Sequence, residues 1–232
     1  MTHRYALYLA PPAASALWRF GSAVVGYDAE TGAELAPPEV AGFDAETWRT
    51  LTGEPRRYGF HGTLKAPFRL APGVSESDLQ AQIAMVAAGQ HPFELPPLVV
   101  RAIGPFIALV PAAPAPALDD LARSMVLGLE PARAPLSAEE IARRRPERLT
   151  TRQRAHLERY GYPYVGEDFR FHMTLTGPLE PETQAHALNA LSDAYGACGA
   201  EAPLTITEVA LYTQASPDSR FRLSRRMPLG AP

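Results

Sequence analysis

The first half of the chain contains an amphipathic segment that is followed by two β-rich runs. Ser75 and Asp78 have the spacing of a helix N-terminus, and apolar residues then recur at helical intervals as far as Gly89. Residues 93–110 form two runs rich in β-forming residues, divided by a Gly-Pro turn. This pattern predicts a helix and then a β-hairpin.

The same succession occurs again in the second half. A helical pattern starts at Pro181 and stops at Gly196, and two β-rich runs cover residues 204–227. Each helical pattern is preceded by an eight-residue segment of the form F-H-x-T-L-x-x-P, which is FHGTLKAP at 60–67 and FHMTLTGP at 171–178. A similarity that extends through strand, helix and hairpin predicts an internal duplication.

We therefore expect a bilobal α+β fold, with two antiparallel sheets that face each other across a cleft, helices outside and a helical insertion between the lobes. The predicted bounds are 1–110 for the N-terminal lobe, 111–165 for an Arg-rich helical insertion and 166–232 for the C-terminal lobe, together one compact domain. A second insertion, at about 28–57, interrupts the first lobe. In the middle segment, Ser137 and Thr151 are predicted to cap two short helices.

Composition narrows the class of protein. Hydrophobic residues make up 46% and charged residues 20%, which is typical of a folded globular chain. The net charge of −3 gives no reason to expect non-specific binding to nucleic acid or to a membrane surface. The single cysteine, Cys198, excludes an internal disulfide framework, and no apolar run approaches the roughly 18 residues of a membrane span. We expect a soluble cytoplasmic protein, and the Arg-, Pro- and Ala-rich usage is typical of a bacterial source.

The repeated strand carries the candidate chemistry. Because side chains alternate between the faces of a strand, each copy is expected to have one polar face. The residues on these faces are His61, Thr63 and Lys65 in the first copy and Arg170, His172 and Thr174 in the second. If the lobes pack about a pseudo-two-fold axis, the two faces meet across the cleft.

Two histidines and two threonines in one cleft suit phosphodiester hydrolysis. That reaction needs a base for the attacking water and an acid for the leaving oxygen, and histidine serves as either near neutral pH. The pattern leaves open whether His61 or His172 is the base. The Thr63 and Thr174 hydroxyls, with Lys65 or Arg170, are candidates to stabilise the phosphoryl oxygens. No histidine pair or His/Asp/Glu cluster in the sequence has the spacing of metal ligands, so we expect neither a metal nor a cofactor.

Paired H-x-T motifs in a duplicated α+β chain resemble the 2H phosphoesterase superfamily. The resemblance implies that His61 and His172 are catalytic and that the substrate is a cyclic phosphodiester or an RNA end. More narrowly, the segments 149–154, 160–164 and 169–172 resemble an uncharacterised branch of that superfamily found with bacterial phosphonate-utilisation genes. The resemblance covers about residues 3–229 and makes a ribose cyclic phosphate a natural candidate substrate.

Further binding residues are predicted near the second motif. Arg148 and Arg152 belong to a basic cluster and are candidates to grip a terminal phosphate, because a guanidinium forms bidentate contacts with phosphate. Tyr162 and Tyr164 are candidates to close over a sugar or a base. The four other histidines are expected to have structural roles: His3, His91, His156 and His186.

The sequence therefore predicts a metal-independent phosphoesterase that hydrolyses a cyclic phosphodiester of a sugar or nucleotide, within phosphonate metabolism. Its partner would be a small phosphorylated substrate rather than a membrane. Two alternatives stay open. One is an RNA end-processing or 2′-5′ ligase-like enzyme, although RNA is not the favoured partner. The other is a non-catalytic module that binds a phosphorylated metabolite unchanged.

Overall fold

A computed structural model describes residues 3–200 and 203–230. The strands within these residues are β1 (Arg4–Leu9), β2 (Gly62–Phe68), β3 (Phe93–Leu95), β4 (Leu98–Ile103), β5 (Phe106–Pro111), β6 (Met173–Thr174), β7 (Leu204–Ile206), β8 (Glu208–Gln214) and β9 (Arg222–Pro228). The α-helices are α1 (Ala16–Val25), α2 (Ala45–Leu51), α3 (Gly53–Arg56), α4 (Glu76–Ala88), α5 (Pro116–Gly128), α6 (Ala138–Arg143), α7 (Thr151–Tyr160) and α8 (Pro181–Ala197).

Local capping explains where several helices begin. Helix α4 starts with a capping box between Ser75 and Asp78, and α6 starts with another between Ser137 and Glu140. Helix α7 is capped by Thr150 and not by Thr151 as predicted, because the Thr150 hydroxyl accepts from the Gln153 backbone N–H. None of the helices in the described part of the chain has the length and hydropathy to cross a membrane.

The strands form an antiparallel α+β architecture with one large sheet and one small sheet. The large sheet has the order β4-β5-β6-β2-β1-β8-β9, and β3 pairs with β7 in the small one. The predicted α+β class is confirmed. Two sheets facing each other across a cleft were expected, whereas seven of the described strands form one sheet and two form the other. Because Gly62 in β2 pairs with Met173 in β6, the strands of both repeats join in a single sheet. The two motifs therefore lie side by side on one surface.

Each repeat completes the sheet around the other repeat's motif strand. The β4-β5 hairpin lies beside β6, while the β8-β9 hairpin lies beside β1, the neighbour of β2. Helix α4 packs against β9, and α8 packs against β4 and β5. Their buried residues belong to one continuous hydrophobic core. The two repeats consequently depend on each other for packing, and the lobe bounds given above stay a prediction.

Close packing explains why the x position of the first F-H-x-T motif is a glycine, Gly62. A Cβ atom at Gly62 would overlap the ring of Phe171, the motif phenylalanine of the other repeat. A Cβ atom at Gly21 would likewise overlap the ring of Phe60. Both phenylalanines are buried, so their rings have little room to move. The two motif strands approach closely because one of them has no side chain at this point.

Candidate active site

The centre of the large sheet brings the two H-x-T motifs together. Extending the Gly62–Met173 pair by one residue in each direction places His61 opposite Thr174 and Thr63 opposite His172. Directly opposed residues in an antiparallel pair have Cβ atoms about 4.5–5.5 Å apart. All four side chains line one cleft of about 590 Å³. The structure thus collects the four residues that the repeat singled out.

Both imidazole rings are held in the same way. The Nδ1–H of His61 donates to the Gly59 carbonyl at 2.8 Å, and the Nδ1–H of His172 donates to the Arg170 carbonyl at 2.9 Å. A carbonyl oxygen only accepts, so Nδ1 carries the proton in each neutral ring. The Nε2 atom of each ring is then the one available to accept or give a proton.

The surroundings of the two rings differ. The His61 ring stacks on Tyr8 with centroids 3.7 Å apart, and Tyr58 and Tyr212 lie 6.1 and 6.2 Å away. Burial lowers the pKa of His61 to about 4, with a smaller contribution from the charge of His172, while the hydrogen bond to the Gly59 carbonyl opposes the shift. The one ring found beside His172 in the described residues is Phe106, at 5.6 Å. The His61 imidazole is therefore neutral at physiological pH.

The threonine hydroxyls are unused by the fold. Thr63 and Thr174 are half-buried, and neither Oγ1 has a hydrogen-bond partner among residues 3–200 and 203–230. Thr176, which also lines the cleft, differs because its Oγ1 accepts the Ile107 backbone N–H at 3.0 Å. The first two hydroxyls are thus available to a ligand.

Lys65 does not lie in the cleft, which corrects its predicted position. On β1, Leu7 pairs with Lys65 and Tyr8 pairs with Thr63, so one step along β1 corresponds to two along β2. This bulge reverses the alternation and turns Lys65 to the opposite face. There its buried amine donates to the Val126 carbonyl at 3.1 Å and pairs with Glu130 at 3.2 Å.

The predicted arginines also lie outside the cleft lining. Arg170 precedes the short strand β6, so strand alternation does not reach it, and its guanidinium donates to the Glu167 and Phe169 carbonyls. Arg152 pairs with Asp168 through two contacts of 2.7 and 3.0 Å. Arg148 is exposed and is not among the residues that line the cleft. The basic cluster is mainly a solvated and ion-paired surface.

The two predicted tyrosines have different positions. Tyr162 lines the cleft, and burial raises its pKa to about 12, so it stays a neutral hydroxyl donor. Tyr164 is 44% exposed and packs edge-on against Tyr162 at 5.5 Å, outside the cleft lining. Only Tyr162 of this pair is placed to touch a ligand bound at the histidines.

Three arginines that sequence reasoning did not assign to the site line the cleft: Arg4, Arg143 and Arg144. Arg4 lies four residues before Tyr8 on β1, and regular alternation would have put the two on one face. Arg143 and Arg144 end helix α6 and were indistinguishable from the other arginines of the basic cluster.

The remaining histidines lie away from the cleft lining. His186 Nε2 is bonded to the Ala41 carbonyl, and His156 lies 3.7 Å from Asp168. His3 packs near the Tyr5 ring. Within residues 3–200 and 203–230, no cluster of three His, Cys, Asp or Glu side chains has the arrangement of a metal site.

Comparison with protein families assigns the chain to a group without a known activity. Residues 63–222 match the family described as "Protein of unknown function (DUF1045)". The match covers more than half of the chain, and the chain belongs to this family.

Two related proteins carry the name "Ribose 1,5-bisphosphate phosphokinase PhnN". The one from Janthinobacterium sp. (strain Marseille) is 35% identical over 228 residues, covering 97% of this chain and 50% of the relative. The one from Laribacter hongkongensis (strain HLHK9) is 37% identical over 177 residues, covering 76% of this chain and 40% of the relative. The chain spans half or less of the length of these relatives, so their name describes larger proteins.

Similar solved structures include a crystal structure of a phosphoesterase, at 15% identity and a TM-score of 0.46, covering 99% of both chains. Escherichia coli LigT complexed with 3′-AMP matches at 16% identity and a TM-score of 0.42, also covering 99% of both chains. At such values the similarity says nothing about activity, and the fold class rests on the strand pairing of this chain.

Proposed function

We propose that the chain is a phosphoesterase of the 2H type that hydrolyses a cyclic phosphodiester of a sugar or nucleotide without a metal. One observation carries the proposal. His61 and His172 have the same Nδ1 anchor, and their rings share one cleft with the hydroxyls of Thr63 and Thr174. A cleft of about 590 Å³ suits a small ligand.

His61 acts as the general base in this proposal. Its depressed pKa keeps Nε2 unprotonated at neutral pH, so this atom accepts a proton from the attacking water. As the proton leaves, the water oxygen forms a bond to phosphorus.

His172 acts as the general acid on the other side of the phosphorus atom. Its protonated Nε2 gives a proton to the ring oxygen as the P–O bond breaks, and the product is a phosphomonoester with a new hydroxyl. Exchange with solvent then removes the proton from His61 and restores the one on His172. The Thr63 and Thr174 hydroxyls donate to the phosphoryl oxygens, where negative charge accumulates.

Two features of the sequence comparisons favour a sugar phosphate from phosphonate metabolism. The segments between 149 and 172 resemble a branch found with phosphonate-utilisation genes, and the names of the two relatives refer to a phosphorylated ribose. We therefore take ribose 1,2-cyclic phosphate and its 5-phosphorylated form as the first substrates to test.

Phosphorus NMR in the presence of a chelator tests the proposal. The substrates are the two ribose cyclic phosphates and the 2′,3′-cyclic nucleotides, with His61→Ala and His172→Ala as variants. We expect one substrate to become a monoester, with turnover lost in both variants. Binding without turnover would favour the sensor, and turnover confined to RNA ends would favour the end-processing alternative. Turnover that survives in both variants would contradict the two-histidine mechanism.

A further inference from the structure

We propose that Arg4 and Arg144 form a second anion subsite beside the two histidines, which binds a terminal phosphomonoester of the substrate. The substrate would then carry two phosphates, with the cyclic diester at His61 and His172 and the monoester at the arginines. The placement of the cyclic diester at the histidines rests on the proposed function. The monoester subsite depends on the two arginines alone.

Arg4 is held in place, and its terminal nitrogens have no hydrogen-bond partner among residues 3–200 and 203–230. Its Nε–H donates to the Gln214 side-chain oxygen at 2.6 Å, and its Cζ lies 5.5 Å from the centre of the Phe221 ring. Gln214 is buried and is itself held, since its amide donates to the Ser219 carbonyl at 2.7 Å. The guanidinium is thus oriented before a ligand arrives, which lowers the entropic cost of binding.

Arg144 approaches the cleft from the end of helix α6. It is half-buried, and its Cζ lies 5.4 Å from the centre of the Tyr162 ring. Burial lowers the pKa of Arg144, and the charge of Arg4 acts in the same direction, while Tyr162 and Glu140 oppose the shift. Glu140 is committed to Arg69 at 2.9 Å.

The two guanidinium groups lack a counter-ion. Within residues 3–200 and 203–230, no carboxylate lies within 4.0 Å of either Arg4 or Arg144. Arg152 of the same basic segment pairs with Asp168, and Arg148 is exposed to water. Partly desolvated like charges without a partner are unfavourable, and an anion between them removes that cost.

The backbone that follows Arg144 is strained. Arg145 has a φ of +47°, and it is the one non-glycine residue with a positive φ in the described part of the chain. The conformation ends α6 sharply before Pro146. Strain of this kind persists where the surrounding structure fixes a functional geometry, and here it follows the residue that points into the cleft.

A phosphomonoester fits this pair better than a monoanion. Each guanidinium offers a planar fork of donors that matches phosphate oxygens, and two forks match the charge of a dianion. The Tyr162 hydroxyl, a neutral donor, lines the same cleft. The cleft volume of about 590 Å³ accommodates a pentose with two phosphates.

Steady-state kinetics on two matched substrates tests the subsite. Ribose 1,2-cyclic phosphate and its 5-phosphorylated form differ only in the terminal phosphate. We expect the wild type to prefer the phosphorylated form in kcat/KM by about 10- to 100-fold, and Arg4→Gln and Arg144→Gln to lose most of this preference. Arg148→Gln, a charge-matched control outside the cleft, should retain it. A wild type without preference, or variants that weaken both substrates equally, would overturn the inference.

Calorimetric binding separates failure of the subsite from failure of the proposed function. Ribose 5-phosphate and ribose are titrated into the wild type, Arg144→Gln and Arg144→Lys. Binding of ribose 5-phosphate that weakens in Arg144→Gln, recovers partly in Arg144→Lys and is not seen with ribose supports the subsite, even if no cyclic phosphate is hydrolysed. Hydrolysis of a cyclic phosphate without such binding would retain the proposed function and reject the subsite.

Discussion

The surroundings of His61 and His172 differ more than their sequence motifs do. Both rings are anchored through Nδ1 to the carbonyl two residues earlier. His61, however, stacks on Tyr8 and has a lowered pKa, whereas the neighbouring ring at His172 is Phe106. The duplicated motif therefore supplies matched geometry at the two rings, whereas their neighbours differ, and burial lowers the pKa of His61.

The difference originates in the strands that flank the motifs. Strand β2 has β1 as its outer neighbour, and β1 lies outside the repeated segments. Strand β6 has β5 as its outer neighbour, which comes from the repeated part. Tyr8 belongs to β1 and Phe106 begins β5, so each histidine receives its neighbour from a different kind of strand.

Replacing the threonines is expected to have the largest effect among substitutions that spare the histidines. Thr63→Val and Thr174→Val each remove a donor to the phosphoryl oxygens, and we expect kcat to fall by about 10²- to 10³-fold. Thr176→Val is the matched control, because that hydroxyl serves the Ile107 backbone instead. Equal losses of kcat in all three variants would remove the distinction between ligand-binding and structural threonines.

Substituting Gly62 should lower stability. In Gly62→Ala the new methyl group overlaps the buried Phe171 ring, so we expect the free energy of unfolding to fall by about 1–3 kcal/mol. Gly53→Ala is the control, since nothing lies within 4 Å of its added methyl group. Urea denaturation of both variants measures the effect. A Gly62→Ala variant as stable as Gly53→Ala would show that the motif strands are not tightly packed.

Removing the Tyr8 ring should make the surroundings of His61 more similar to those of His172. In Tyr8→Leu, water gains access to His61, so its pKa should rise from about 4 toward the ordinary value for histidine. Because the base must be unprotonated, the acidic limb of kcat/KM should then move to higher pH. NMR titration of the imidazole gives the pKa directly. Phe106→Leu, the control on the other side, should leave this limb unchanged, and an unchanged limb in Tyr8→Leu would contradict the role of the stacked ring.

The repeat in the sequence was sufficient to single out the four central residues, because the H-x-T pattern occurs once in each copy, as His61 with Thr63 and as His172 with Thr174. Lys65 was misplaced because a β-bulge depends on pairing with β1, which the sequence of β2 does not show. The single large sheet was missed for a similar reason, since the Gly62–Met173 pair joins strands that are far apart in the chain.

The positions of the arginines could not be predicted from the sequence either. Arg148 and Arg152 are residues of the type expected at a phosphate site. Arg148, however, is exposed, and Arg152 forms an ion pair with Asp168. Arg144 was hidden among similar neighbours, and its position is set by the end of α6 and the turn at Arg145. Charge can be read from a sequence, whereas pairing and burial of that charge depend on tertiary structure.

A change of leaving group tests most directly the proposed assignment of His61 as the base and His172 as the acid. On a ribose cyclic phosphate, His61→Ala and His172→Ala should each lower kcat by about 10²- to 10⁴-fold. On a p-nitrophenyl phosphodiester, whose leaving group departs without protonation, His172→Ala should regain most of the wild-type rate and His61→Ala should not. Equal losses on both substrates, or recovery in His61→Ala instead, would contradict the assignment.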